Sequence, residues 1–312
     1  MIDAWIASRF IHFAAAMAVF GIGAFRLYAF AGSEIAADDP SRAALDALLV
    51  RFTGVGATVA LLSAAALIPF TAAEMTGSDA AALDPVIWRE VLVATEFGRV
   101  WCWHLGFAVA LLALCFMPRR RWQIGGSTLA ALLLLVSLGW VGHAAMDMGG
   151  GVSHKINQMA HLTGGGLWLG GLLPLGVLLR RAVRPDGADY VPLARAALPH
   201  FSQVGYAAVA LIVVTGTVNS VMLVGSFRAL LETPYGRLLM VKIALFLAMV
   251  GLALINRFRL LPRLRDAATA IVPLRSLFHS VLAEQALGLA ILAVVAVLGT
   301  WPPAIEAAMQ MR

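Results

Sequence analysis

Eight apolar runs dominate this chain, and each is long enough to cross a hydrocarbon core about 30 Å thick, which takes about 20 helical residues. They lie at 5–31, 48–70, 95–117, 124–145, 156–179, 201–224, 238–261 and 276–300. Lipid offers no hydrogen bonds, so each run must satisfy its own backbone and is expected as a helix. The loops between them are too short for a soluble domain. The composition, 61% hydrophobic and 13% charged, agrees. The predicted fold is therefore all-α: a polytopic membrane protein with eight transmembrane helices in one integral membrane domain, residues 1–312.

Charge sets the expected orientation. One set of helix ends and loops carries fifteen Lys and Arg residues, among them Arg119, Arg120, Arg121, Arg180, Arg181, Arg184, Arg257, Arg259, Arg263 and Arg265; the other set carries eight. By the positive-inside rule the first set is cytoplasmic, which places both termini on the non-cytoplasmic side. The net charge of +6 belongs to this asymmetry and gives no reason to expect nucleic acid. The start of the chain, Met1-Ile-Asp-Ala-Trp5, lacks a basic n-region and reads as the entry to a true span rather than a cleaved signal. Cys102 and Cys115 share one predicted helix about 20 Å apart, so they cannot pair with each other.

The two halves resemble each other. An offset of 149 carries the segment from Arg51 to Gly56 onto that from His200 to Gly205, His12 onto His161, and Gly21 onto Gly170. Gly98-Arg99 matches Gly236-Arg237 at an offset of 138, and Leu138-Gly139 matches Leu298-Gly299 at 160. Four helices plus four, both halves entering from the same side, describe a 4+4 parallel internal repeat with halves 1–150 and 151–312. In that register His104 falls on Lys242 and His143 on Pro303.

The topology gathers His12, His104, His143, His154 and His161 toward the non-cytoplasmic side. A single imidazole in a membrane helix is readily explained by packing, but four at similar depth in different helices point to a ligand. His161, Gly164, Gly165, Trp168 and Leu172 share one helical face, and glycine beside histidine admits a second helix or a flat ligand. Trp101 with His104, and Gly139 and Trp140 with His143, repeat the pattern. The segment after His143 supplies Met146, Asp147 and Met148 before a glycine run and His154. Thioether with imidazole suits Cu(I), and carboxylate with imidazole suits Cu(II), so this segment reads as a capture loop. Toward the other side, Asn256 and Glu284 are the polar groups that could line an exit path, and Glu284 could instead pair with Arg257 or Arg275. Lys242 and Arg237 either snorkel or bind an anionic group. The sequence has no Walker, dinucleotide, nucleophile-elbow or HExxH motif, so nothing supports ATP-driven transport or hydrolysis.

Several segments carry a family resemblance. HLTGGGLWLGGLLP from His161 to Pro174, FSQVG from Phe201, TGTVN from Thr215, PYGRLLMVK from Pro234 to Lys242, Asn256-Arg257 with Pro262-Arg263, and LGTWPP from Leu298 together resemble the CopD (PcoD-like) copper-resistance inner-membrane proteins. The resemblance spans essentially the whole chain and is strongest from His143 onward. It implies an eight-helix protein of the Gram-negative inner membrane that handles copper beside a small periplasmic CopC-like copper-binding partner. The leading expectation is a non-enzymatic copper carrier, with Met146, Asp147, Met148 and His154 capturing the ion and His12, His104, His143 and His161 binding it. The alternative is a redox protein in which imidazole pairs on neighbouring helices hold b-type haem. A third reading, a structural partner of periplasmic copper proteins, expects neither.

Overall fold

The computed structural model of the chain describes residues 1–117, 121–142, 151–265 and 271–306, and within them every regular element is helical. The first span is α1 (Ile2–Tyr28). After it come α2 (Pro40–Thr76), the short α3 (Pro85–Ala94), α4 (Glu96–Phe116) and α5 (Arg121–Ser137), which closes in a 3-10 turn, Leu138–Trp140. The second half runs through α6 (Gly151–Gly165), a π turn (Gly166–Gly170), α7 (Gly171–Ala182), α8 (Val191–Val224), the short α9 (Phe227–Glu232) and α10 (Pro234–Ile255). A second π turn, Asn256–Leu260, and α11 (Ile271–Leu298) complete it. Eight of the helical segments are long and apolar enough to cross a membrane, in the places the apolar runs predict.

Two helices were not legible as such. The segments α3 and α9 fall in connections that hydropathy reads as loops. Each is stopped and restarted by one threonine. Thr95 Oγ1 donates to the Val91 carbonyl at 2.6 Å and accepts the Gly98 N–H at 2.9 Å. Thr233 Oγ1 donates to the Ala229 carbonyl at 2.6 Å and accepts the Gly236 N–H at 3.0 Å. Each hydroxyl thus satisfies the end of one helix and N-caps the next.

Helix α1 lies inside the bundle, packed against α2, α5, the first π turn, α7 and α11. Its contact with the π turn is backbone to backbone. A Cβ at Gly21 would sit 2.0 Å from the Gly170 carbonyl carbon, and one at Gly170 would sit 2.0 Å from the Met17 oxygen. Glycine is therefore required at both positions. The π turn adds a residue to the helical repeat and re-aims the chain just where the glycine run passes α1. Two apolar cores flank this crossing. One gathers Trp101, Leu111, Leu134, Leu135, Val19 and Phe20; the other gathers Trp168, Leu172, Leu175, Leu179, Phe25 and Leu277. Helices α4, α8 and α10 sit at the periphery, where apolar side chains such as Trp103, Val214 and Leu247 stay exposed as lipid contact requires. At one end Arg26 clamps Asp46 through two hydrogen bonds of 2.7 and 3.2 Å, tying α1 to α2. The opposite end holds His12, His104, His154 and His161.

Candidate metal centre

His12 lies ten residues into α1, and His104 eight residues into α4, so both rings stand at one depth. Both are buried, at 1% and 0% exposure. Their Nε2 atoms are 2.9 Å apart. This is the only place among the described residues where two histidines meet directly.

The partners of the other nitrogen fix the protonation of His12 and leave His104 two arrangements. His12 Nδ1 lies 3.2 Å from the Ala60 carbonyl and 2.9 Å from Ser63 Oγ on α2. The Ser63 hydroxyl donates to the Val59 carbonyl at 2.6 Å. A carbonyl can only accept and the serine proton is committed, so His12 Nδ1 carries the proton and His12 Nε2 presents a lone pair. His104 Nδ1 lies 2.8 Å from Ser137 Oγ on α5, and that hydroxyl is also 2.8 Å from the Leu134 carbonyl. One serine proton thus faces two acceptors at equal distance. Given to His104, it leaves the proton of that ring on Nε2 and closes a neutral His104-to-His12 hydrogen bond. Given to Leu134, it places the imidazole proton on Nδ1 and sets two lone pairs face to face. The latter arrangement is stable only with a cation between the rings. Rotation of the Ser137 hydroxyl, together with transfer of the His104 ring proton from Nε2 to Nδ1, separates a closed pair from a two-nitrogen acceptor.

The ring planes are held from behind. Trp101 stacks on His104 with centroids 4.6 Å apart and planes 13° apart, and Phe97 stacks on Trp101 at 4.9 Å. The Trp101 indole donates to the Ala64 carbonyl at 3.0 Å. Residues 97, 101 and 104 fall on one face of α4 by helical spacing, which lets one helix build the stack. A cation at the histidines would also lie beside an indole face.

His12 forms part of the floor of a cavity of about 650 Å³ at the histidine end, whose lining includes the carboxylates Glu74, Glu96 and Glu306, the indoles of Trp5, Trp101, Trp140 and Trp301, and Met75. The sequence reading missed Ser63, Ser137, Glu74 and Met75. Small hydroxyls inside apolar helices gave a signal that could have marked the serines as second partners of the imidazoles.

His154 and His161 do not join this pair. His161 Nδ1 is held by Thr215 Oγ1 on α8 at 2.9 Å, and Thr215 in turn donates to the Leu211 carbonyl at 2.6 Å. His154, read from sequence as part of an outer loop, stands in the first turn of α6 and is 2% exposed. Both line a neighbouring cavity of about 150 Å³. Arg9, Phe13, Leu138, Val141, Gly142 and Gly299 border this cavity and the larger one alike. His143, Met146, Asp147 and Met148 lie outside the described residues. His200 bonds its own helix, Nδ1 to the Ala196 carbonyl at 3.0 Å, which is an ordinary structural use. At the other side of the bundle Asn256 Nδ2 donates to Glu284 Oε1 at 2.6 Å; Glu284 is 2% exposed and forms no ion pair with Arg257 or Arg275 among the described residues. These two residues line a separate cavity of about 100 Å³ that shares no wall residue with the outer two.

The geometry gives the haem alternative no support. Two imidazoles on one haem iron need nitrogens about 4 Å apart with the porphyrin between them, from bond lengths near 2 Å. Here the nitrogens are at hydrogen-bond distance and Trp101 covers the His104 face.

Comparison with known proteins matches residues 1–153 to the family described as copper resistance protein D-like, N-terminal domain, and residues 195–298 to copper resistance protein D. The chain is 32% identical to the inner membrane protein YebZ of Escherichia coli (strain K12), over 96% of this chain and 98% of the relative. It is 32% identical to copper resistance protein D of Pseudomonas syringae pv. tomato, over 97% and 98%. It is 31% identical to the copper transport protein CutJ of Bacillus subtilis (strain 168), over 76% of this chain but 43% of that protein. No solved structure matches.

Proposed function

The chain belongs to the copper resistance protein D family, and from that premise we propose that it binds copper at His12 and His104 and moves it inward across the bacterial inner membrane from the periplasmic side. The observation that carries this reading is the 2.9 Å approach of two buried Nε2 atoms, at least one of them a lone pair. Imidazole nitrogen suits copper in either oxidation state. At 2.9 Å, two metal–nitrogen bonds near 2.0 Å enclose an angle of about 90°, the relation of adjacent ligands; a collinear ion requires the rings to part by about 1 Å. Ser63 and Ser137 orient the rings as outer partners commonly orient metal-bound histidine.

The acidic, aromatic vestibule supports an approach path. Glu74, Glu96 and Glu306 draw a cation toward the cavity mouth, and Met75 offers a soft donor within it. The segment with His143, Met146, Asp147 and Met148 would deliver the ion to this mouth, and a periplasmic copper-binding protein of the CopC type would supply it. Asn256 and Glu284 would serve the exit side. The role is carriage, with no bond of a substrate made or broken.

We further propose that the two halves are a parallel repeat. The matched threonine caps at Thr95 and Thr233 support it, as does the meeting of the matched glycines Gly21 and Gly170. So do Gly139, packed on the α6 backbone at Lys155 and Met159, and Gly299, packed on Arg9 of α1.

The test is copper stoichiometry of the purified protein, titrated with Cu(I) under reductant against a chromophoric chelator. One tightly held ion per chain is expected, lost in His12→Ala and in His104→Ala while both variants insert and elute as the wild type does. Full wild-type stoichiometry in the double variant would sink the assignment.

A further inference from the structure

The smaller cavity of the histidine end carries the opposite charge to the vestibule beside it. Its lining includes two formal cations, Lys242 of α10 and Arg9 of α1, and no carboxylate among the described residues. The remaining polar wall is His154, His161, Gln158 and Asn219, with Ser220 and Tyr235. Lys242 makes no ion pair among the described residues. A cation within a membrane span needs a counter-charge, and this one has none among the described residues that line its cavity.

Two further observations aim at a ligand. His154 is 98% buried, being 2% exposed, yet its Nδ1 has no hydrogen-bond partner among the described residues; Arg9 Nε is likewise buried without a hydrogen bond there, the Arg9 charge being offset in part by Glu74. Unsatisfied buried polar atoms are rare enough to call for a partner. The amides are also arranged to donate. Asn219 Nδ2 gives its proton to Gln158 Oε1 at 2.8 Å, and Asn157 Nδ2 gives one to Asn219 Oδ1 at 2.8 Å, so both amide oxygens are used and the Gln158 NH2 remains to donate. Thr215 holds His161 in place. Lys242 occupies the sequence register of His104, so a lysine stands where the other half has its second imidazole.

We infer that this chamber is an anion site, built for one small oxyanion of the phosphate or carboxylate type held by Lys242, Arg9, His154 and Gln158. Its volume of about 150 Å³ equals the liquid volume of about five waters at about 30 Å³ each, enough for such a group and too little for a nucleotide. The oxyanion is either a free anion or the phosphate of an anionic lipid headgroup. This site is independent of copper binding at His12 and His104.

The experiment uses the purified full chain in phosphatidylcholine nanodiscs, with inorganic phosphate and acetate as free probes at ionic strength matched by chloride. Saturable binding by calorimetry and a rise in melting temperature are expected for the wild type. Lys242→Gln should weaken binding by about tenfold or more, the loss of a charge-assisted hydrogen bond, while Lys242→Arg retains it. A second arm adds phosphatidylglycerol without free phosphate and reads retained lipid by native mass spectrometry; lipid held by the wild type and lost in Lys242→Gln identifies the headgroup as the source. Should Lys242→Gln fail to fold, His154→Gln replaces it with the same expectation. Absence of saturable phosphate, acetate and lipid binding in the wild type overturns the proposal, as does binding unchanged in the variants. Copper stoichiometry of Lys242→Gln should equal that of the wild type, so either reading can fail alone.

Discussion

A hydroxyl decides what the His12–His104 pair can do. Ser137 has one proton and two acceptors at 2.8 Å, and its choice determines whether His104 Nε2 is a donor to His12 or a second lone pair. Ser63 has no such freedom, because its 2.6 Å bond to Val59 leaves it only to accept from His12. Ser63→Ala and Ser137→Ala should therefore each weaken copper affinity by about 10–100-fold, the usual cost of removing an outer partner of a ligating histidine. Chelator competition checks this, and unchanged affinity in both variants would show that the serines are packing groups only. Trp101→Phe should cost less, since a ring still stacks on His104 and only the bond to Ala64, worth about 1 kcal/mol, is gone.

The elements are held in register by a few small residues. Gly21 and Gly170 bring α1 onto the π turn with backbone in contact, and any side chain there must push the two apart. Gly21→Ala and Gly170→Ala should each destabilise by about 1–3 kcal/mol, as overpacking does. Because the two positions touch, the double variant should lose less than the sum. Reversible denaturation in mixed micelles reads both effects, and additive losses would place the two glycines in separate contacts. The threonine caps act at the other end of the bundle. Thr95→Ala and Thr233→Ala should each cost about 1 kcal/mol by the same measurement, with Ser largely restoring either. A cap of this kind also aims the following helix. Thr95 sets α4, and hence the position of His104 nine residues on.

Across the whole molecule the charge asymmetry governs orientation. Reporter fusions after Arg121, Arg184 and Arg265 should read as cytoplasmic, and fusions after Gly150 and Arg312 as periplasmic. Opposite signals at two or more sites would reverse the side on which the His12–His104 pair lies. An acidic vestibule and a basic chamber lie side by side at the histidine end, sharing Arg9 as part of their common wall. Purified protein should show no Soret band, and copper should account for any metal it holds.

The chain's membrane-spanning architecture was written in its sequence, because hydrocarbon thickness converts length directly into helix and leaves few alternatives. The eight spans, and with them the similar depth of His12 and His104, follow from that one-dimensional rule. The short helices α3 and α9 did not, since segments of ten and six residues are too short to register as spans and are bounded by single capping side chains. Nor did the pairing of the histidines. Depth places a residue along the membrane normal, whereas azimuth depends on how helices turn toward each other. Only tertiary packing turned His12 and His104 together against Ser63 and Ser137, and turned His161 and buried His154 toward Lys242 instead. What each imidazole faces depends on the neighbour that a helix distant in the chain brings beside it, Ser63 and Ser137 for the pair and Thr215 for His161.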